Sequence, residues 1–269
     1  MTNPEAPQPS SADERWGAML VKPSPFRVLR RIHSRIPSSP RCKMCAAPFG
    51  GPGGLVMPLL GHARWAKNPK YCAGCFRMLR QNHGGAEIDC SLLFADVRGS
   101  TPLAEQMSPR EFTRLMGRFY DTASDVLVNH DAFVDKFVGD EIIGIFVPAM
   151  AGEVHASRAI DAAQALLRRT GHEEADGPWV PIGVGVNTGT AYVGSIGEGP
   201  DTEMTAMGDV VNTTARLSSV AAVGEILVTA AAAASAGLSA DTLERRSLPL
   251  KGKSEPTDVL VLKVSAGVR

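Results

Sequence analysis

Residues 132–147, AFVDKFVGDEIIGIFV, hold two apolar runs around the pair Gly139-Asp140. A glycine–aspartate pair between such runs is the signature of a two-residue hairpin turn. Helix signals flank it on both sides. Upstream, Ser108-Pro109-Arg110-Glu111 is a capping box with proline at the first helical position. Phe112, Leu115, Met116, Phe119, Ala123, Val126 and Leu127 then recur with helical spacing, which predicts an amphipathic helix to about Asn129. Downstream, residues 153–170 predict a second helix with Ala159, Ala162, Leu166 and Leu167 inward. Ile88–Ala95 reads as a strand before the first helix, and PIGVGVN and AYVGSIG read as two strands after the second. The order strand, helix, hairpin, helix, strand is a βαββαβ plan. It implies an α+β domain with helices packed on a largely antiparallel sheet. A third helix starts near Gly208-Asp209 and carries VVNTTARLSSVAA. EILVT, DTLERRSLPL and TDVLVLKV add strands, with an alanine-rich helix after the first.

Composition divides the chain. Residues 1–80 hold 13 Lys and Arg against 3 Asp and Glu, whereas residues 81–269 hold 15 against 25. The same cut places 11 of the 19 prolines on the N-terminal side. A basic, proline-rich module therefore precedes an acidic body. We expect a disordered tail over 1–25, a basic helix and cysteine module over 26–84, and the main domain over 85–265. The first 14 residues carry acids and prolines with no apolar core, which excludes a signal peptide, and no apolar run reaches membrane-spanning length. The expected location is the cytoplasm. Residues 26–36, FRVLRRIHSRI, suit a helix packed on its neighbour, with peripheral membrane contact as the alternative.

The chemistry starts at residues 91–101, SLLFADVRGST, where a buried strand ends on Asp96. In a βαββαβ sheet the first strand neighbours the central hairpin, so Asp96 and Asp140 fall at adjacent strand ends. Two carboxylates so close repel, and a hard divalent cation removes that cost. Gly99, Ser100 and Thr101 add a loop with exposed N–H groups suited to phosphate oxygens. Asn212 and Arg216, four apart, share one helix face, with Val210, Val211 and Leu217 free to pack inward. An amide beside a guanidinium suits ribose and a negatively charged transition state. Lys251, beside a glycine in LKGKSE, is a further phosphate contact.

Together these pieces resemble a known family. FADVRGST and KFVGDE are similar to the two metal motifs of class III adenylyl and guanylyl cyclases. GDVVNTTAR resembles their transition-state helix, and LKGK their terminal phosphate lysine. The resemblance runs from about residue 88 to 263. It implies a ferredoxin-like βαββαβ domain that forms a head-to-tail homodimer with sites at the shared interface. Asp96 and Asp140, helped by the Val97 carbonyl, would hold two Mg²⁺ (or Mn²⁺) ions. The opposite protomer would supply Asn212, Arg216 and Lys251, and ATP would be converted to cyclic AMP and pyrophosphate. The family's purine-reading positions fall at Lys136 and Thr205. Lysine donates to adenine N1 and threonine accepts from the N6 amine, so the pair resembles the bacterial adenylyl type; guanine presents the opposite pattern. Ser100 stands where phenylalanine is common, and Thr190 where some members carry an arginine toward phosphate. A guanylyl cyclase and a catalytically silent nucleotide-binding domain on the same fold are the alternatives.

Cys42, Cys45, Cys72 and Cys75 form two CxxC pairs with 26 residues between them. In a chain with no export signal, four thiolates at these spacings suit a tetrahedral Zn²⁺; an iron–sulfur cluster or uncoordinated redox thiols fit the same pattern. The segment is too small and proline-rich to fold without a staple. Docking on the acidic body is the expected role. A nucleic-acid partner is disfavoured, because no aromatic stacking pattern accompanies the basic charge; such a partner would show steeply salt-dependent binding. Cys90 falls in the first strand and reads as a core residue.

Overall fold

The computed structural model describes residues 11–22, 25–38, 40–66, 68–241 and 243–264. In chain order the helices and strands are α1 (Ser11–Val21), α2 (Pro25–Ser34), α3 (Gly51–Val56), α4 (Ala73–Gln81), β1 (Gly84–Val97), α5 (Ser100–Gln106), α6 (Pro109–Asn129), β2 (Phe133–Val138), β3 (Glu141–Phe146), α7 (Pro148–Ala151), α8 (His155–Arg169), β4 (Ile182–Ile196), β5 (Glu203–Met207), α9 (Asp209–Val220), β6 (Glu225–Thr229), α10 (Ala230–Ala236), β7 (Glu244–Leu248) and β8 (Thr257–Lys263). The strands form one sheet in the order β2-β3-β1-β4-β6-β8-β7, with β5 attached to β4. The first four positions, β2-β3-β1-β4, are the antiparallel core of the ferredoxin-like plan. The β4–β6 pairing is parallel.

The two sheet faces follow the alternation of side chains along β1. Leu93 and Ala95 point to the face covered by α6 and α8, packing with Met116, Phe119, Ile160 and Leu166. Ile88, Leu92 and Phe94 point to the other face, where Trp16, Leu20, Met44, Phe76 and Leu79 from the N-terminal module cover them. The module and the main domain thus share one apolar cluster. Helix α6 begins as its sequence demands: Ser108 accepts from the Glu111 N–H, and Glu111 bonds back to Ser108.

Three expectations change. Residues 11–21, expected to be disordered, form α1. Trp16 is 2% exposed and donates its indole N–H to the Asn82 carbonyl at 3.0 Å. Packing on β1, rather than helix propensity, gives this segment its structure. The remainder of the expected tail, residues 1–10, lies outside the described residues, as do residues 23–24. PIGVGVN and AYVGSIG are one strand, β4, because β1 supplies a partner along its whole length from Gly84↔Ser195 to Val97↔Ile182. The Asn187 side chain, within this strand, accepts from the Thr229 hydroxyl at 2.8 Å and donates to the Val210 carbonyl at 3.2 Å. Gly99, Ser100 and Thr101 are not a simple loop: Gly99 turns the chain at φ 68°, and Ser100 and Thr101 open α5.

Candidate active site

Strand β1 and the β2–β3 hairpin bring Asp96 and Asp140 together. Asp96 pairs with Glu141 in the β1–β3 register, and the Val97 N–H donates to the Asp140 carbonyl at 3.2 Å. Gly139 takes φ 62° in the turn, a conformation that favours glycine. Around the two aspartates lie the expected Ser100 and three groups that motif reading did not assign, Arg98, Tyr120 and Glu141. Arg98 forms an ion pair with Asp96 and donates to the Ser219 carbonyl. The Ser100 hydroxyl donates to the Asp140 carboxylate, and the Tyr120 hydroxyl donates to the Gly139 carbonyl. Glu141 accepts from the Ser218 hydroxyl at 2.9 Å.

The electrostatics of this corner fit a cation. Burial, with the Asp140 charge adding to it, raises the Asp96 carboxyl above its usual range despite Arg98. Burial and then the charges of Asp96 and Asp140 push Glu141 up to about 7, against the Ser218 hydrogen bond. Asp96 and Glu141, raised partly by their neighbours' charges, form with Asp140 an oxygen-rich site whose repulsion a divalent ion relieves. A cleft lined by Ser100, Thr101, Phe112, Tyr120 and Asp140 opens beside it.

Helix α9 carries the second half of the site. It lies against β4 because Gly183 and Gly185 leave room: a Cβ on Gly185 would come within 2.7 Å of the Ser218 nitrogen and 2.8 Å of Leu217 Cβ. Val210 and Leu217 are buried and Val211 is partly buried, whereas Asn212 is exposed and Arg216 half-exposed. The Arg216 guanidinium lies against Gly252, where an added Cβ would sit 3.2 Å from it. This brings Arg216 to the loop that carries the exposed Lys251. Lys253 anchors the same loop by an ion pair to Asp209 at the start of α9. Thr205 lies on β5, a strand the sequence did not suggest. It is buried, and its hydroxyl donates to the Asp135 carboxylate at 2.6 Å. Lys136 lies in β2, and its side chain is outside the described residues. Thr190 pairs with Asp89 in the β1–β4 ladder.

The four module cysteines are all buried, and their Sγ atoms lie within 4.8 Å of one another. The Cys45 and Cys72 sulfurs are 3.7 Å apart. A tetrahedral site with Zn–S bonds of about 2.3 Å requires S···S separations of roughly 3.8 Å. The donor set therefore fits a metal. Backbone N–H groups support it: Cys72 donates to the Cys42 sulfur at 3.3 Å and Cys75 to the Cys72 sulfur at 3.5 Å. Two neighbours absent from the CxxC pattern belong to its surroundings. His62 Nδ1 is 3.4 Å from the Cys72 sulfur, and His33 Nδ1 is 2.9 Å from the Cys45 carbonyl. Cys90 is a buried core residue whose thiol burial pushes up to about 12.

The family model for the adenylate and guanylate cyclase catalytic domain matches residues 85–263. The chain belongs to the class III adenylyl/guanylyl cyclase family. This chain is 32% identical over 134 residues to "Adenylate cyclase 1" of Rhizobium meliloti, an alignment covering 48% of this chain and 20% of that protein. It is 30% identical over 177 residues to the terminal-differentiation-specific adenylate cyclase of Dictyostelium discoideum, covering 63% and 8%. The chain therefore spans only a small part of these two relatives. Among solved structures, it is similar to the adenylyl cyclase CyaB from P. aeruginosa, with TM-score 0.57 and 26% identity over 66% of this chain and 95% of that one. A guanylyl cyclase structure gives TM-score 0.60 and 26% identity over 69% and 98%. Among the described residues of this chain, no helix is long and apolar enough to cross a membrane.

Proposed function

We propose that this cyclase converts ATP to 3′,5′-cyclic AMP and pyrophosphate at sites shared between two copies of the chain. The observation that carries the reading is the meeting of Asp96 and Asp140 at neighbouring strand ends, with Glu141 beside them. Asp96 and Asp140, with the Val97 carbonyl, are the residues that would hold two Mg²⁺ or Mn²⁺ ions. Such ions supply charge neutralisation of the triphosphate and acidify the attacking hydroxyl. In the reaction the ribose 3′-oxygen bonds to the α-phosphorus, and the bond to the pyrophosphate oxygen breaks. Asn212 orients the ribose, Arg216 stabilises the charge on the α-phosphate, and Lys251 holds the β- and γ-phosphates. Gly99, Ser100 and Thr101 border the triphosphate. Lys136 donates to adenine N1, and Thr205 accepts from the N6 amine. Cys42, Cys45, Cys72 and Cys75 bind a structural Zn²⁺, with an iron–sulfur cluster as the competing occupant. The reaction is placed in the cytoplasm. Helix α2 offers Val28 and Ile32, both exposed, beside arginines for peripheral membrane contact.

The test compares cyclic nucleotide formation from ATP and GTP with Mg²⁺ or Mn²⁺. Asp140→Ala and Arg216→Ala should each lose activity by about a hundred- to a thousandfold. Mixing the two inactive chains should restore roughly a quarter of the wild-type rate. About half of the dimers are then mixed, and each mixed dimer has one intact site of two. No recovery on mixing would sink the shared-site reading. Preferential cyclic GMP formation would replace ATP by GTP.

A further inference from the structure

The N-terminal module touches the catalytic domain at a particular place. Among the described residues, strands β2 and β5 each leave an edge unpaired by the sheet: β2 ends the strand order, and β5 pairs with β4 off the main path. These are also the two strands that carry Lys136 and Thr205. The module reaches both edges. On β2, Arg30 donates to the Ala132 carbonyl just before the strand, and Lys43 donates to the Asp135 carbonyl. On β5, the Met204 N–H donates to the Tyr71 hydroxyl at 3.2 Å, and Lys70 pairs with Glu203. Just before β5, the Asn68 amide donates to the Pro200 and Thr202 carbonyls at 3.1 and 3.2 Å. Between the strands, Thr205 donates its hydroxyl proton to Asp135 at 2.6 Å.

We propose that the cysteine module and Asp135 together position the purine-reading residues: the module fixes the spacing of β2 and β5, and Asp135 fixes the polarity of Thr205. This rests on the adenylyl reading above and extends it to residues outside the cyclase motifs. The placement of the clamp supports it. Lys43 lies between Cys42 and Cys45, and Lys70 and Tyr71 immediately precede Cys72. The loops that hold the four sulfurs together therefore also hold the two edges. A threonine hydroxyl has one proton, and Asp135 takes it, so Thr205 can offer a base only lone pairs. Those lone pairs accept from the N6 amine of adenine. Against guanine they face the O6 acceptor, and neither group has a proton to share. Sites built on one hydrogen-bond polarity discriminate strongly against the opposite one.

The experiment measures KM, kcat and the ATP-to-GTP ratio of kcat/KM on the full chain. The variants are Asp135→Ala, Asn68→Ala with Tyr71→Phe, and Glu225→Gln. Glu225 is the control, because its ion pairs with Arg246 and Lys263 are remote from β2 and β5. Asp135→Ala frees the Thr205 proton to donate to guanine O6, and the ATP-to-GTP ratio should fall by about tenfold or more. The Asn68/Tyr71 pair should raise the ATP KM by at least about threefold and leave kcat within about twofold, because lost preorganisation weakens binding. Glu225→Gln should lower Tm without moving the ratio. The proposal falls if Asp135→Ala leaves the ratio unchanged, or if the clamp variant loses kcat in step with Tm. It also falls if the clamp variant binds ATP more tightly, since the module would then obstruct the base. A wild-type preference for GTP would instead overturn the adenylyl reading. That result is separable, because it is read on the unmutated chain.

Discussion

Gly185→Ala is the most direct test of α9 as the helix that carries the transition-state residues. Gly185 sits in β4, paired with Phe94 on one side and Leu227 on the other. An added Cβ would lie 2.7 Å from the Ser218 nitrogen, 2.8 Å from Leu217 Cβ and 2.8 Å from the Thr214 carbonyl. Two of these atoms are backbone, so no flexible side chain can swing away. Ordinary contact begins near 3.4 Å. The helix must therefore retreat by about 0.7 Å, and Asn212 and Arg216 move with it. Overpacking of this kind costs about 1–3 kcal/mol of stability. Displacing a catalytic group by about 1 Å costs up to about a hundredfold in rate. We expect kcat to fall roughly 10- to 100-fold with the metal requirement unchanged, because Asp96 and Asp140 lie on other elements. The assay is cyclic nucleotide formation at saturating metal, run with thermal unfolding. Gly189→Ala on the same strand is the internal control: its nearest neighbour, Val210 Cγ2, is 3.5 Å away, so rate and Tm should stay near wild type. A Gly185→Ala enzyme with lowered Tm and full kcat would refute the reasoning, because α9 would have moved without consequence for the chemistry.

Three further outcomes follow from packing and charge. Glu141, held at about 7 against an ordinary 4.5, favours folding when protonated. Its contribution is complete below about pH 4.5 and is lost as pH rises through about 7. Glu141→Gln should therefore raise Tm at pH 8 and leave it nearly unchanged at pH 4, in buffer without divalent ions; equal shifts at both pH values would contradict the assignment. Glu225, held down at about 2 first by its Arg246 hydrogen bond, contributes stability above about pH 4.5 that is lost as pH falls toward 2. Arg246→Ala should flatten that acid limb of a Tm-versus-pH series. Trp16→Ala empties a site 2% exposed and should cost about 3–5 kcal/mol, measurable by urea unfolding; a loss below about 1 kcal/mol would mean α1 is not part of the folded core.

Much of this fold was legible locally. The Gly139-Asp140 turn, the Ser108–Glu111 capping box and the helical spacing of α6 and α8 each depend on residues a few positions apart, and chain order alone limits how such elements can pair. The same order put Asp96 next to the hairpin. The CxxC pairs announced a four-sulfur cluster by spacing. Other features depend on partners far along the chain. β4 is one strand, not the two expected, because β1 runs beside all of it. β5 has five residues, too few for a periodic signal, and exists because β4 offers it an edge. Residues 11–21 are polar enough to read as a tail, and only the surface of β1 makes Trp16 and Leu20 core residues. Arg98, Glu141 and Asp135 received no assignment from the sequence motifs. Their roles come from what burial places beside them, and burial is a property of the assembled fold. Sequence alone thus determined the family, the βαββαβ order and the residues proposed for the site, because these are written in short motifs and their order. The tertiary structure decided which charges compete at the metal corner, where α9 rests, and that the cysteine module grips the strands expected to read the base, because those relations join residues up to about 130 positions apart.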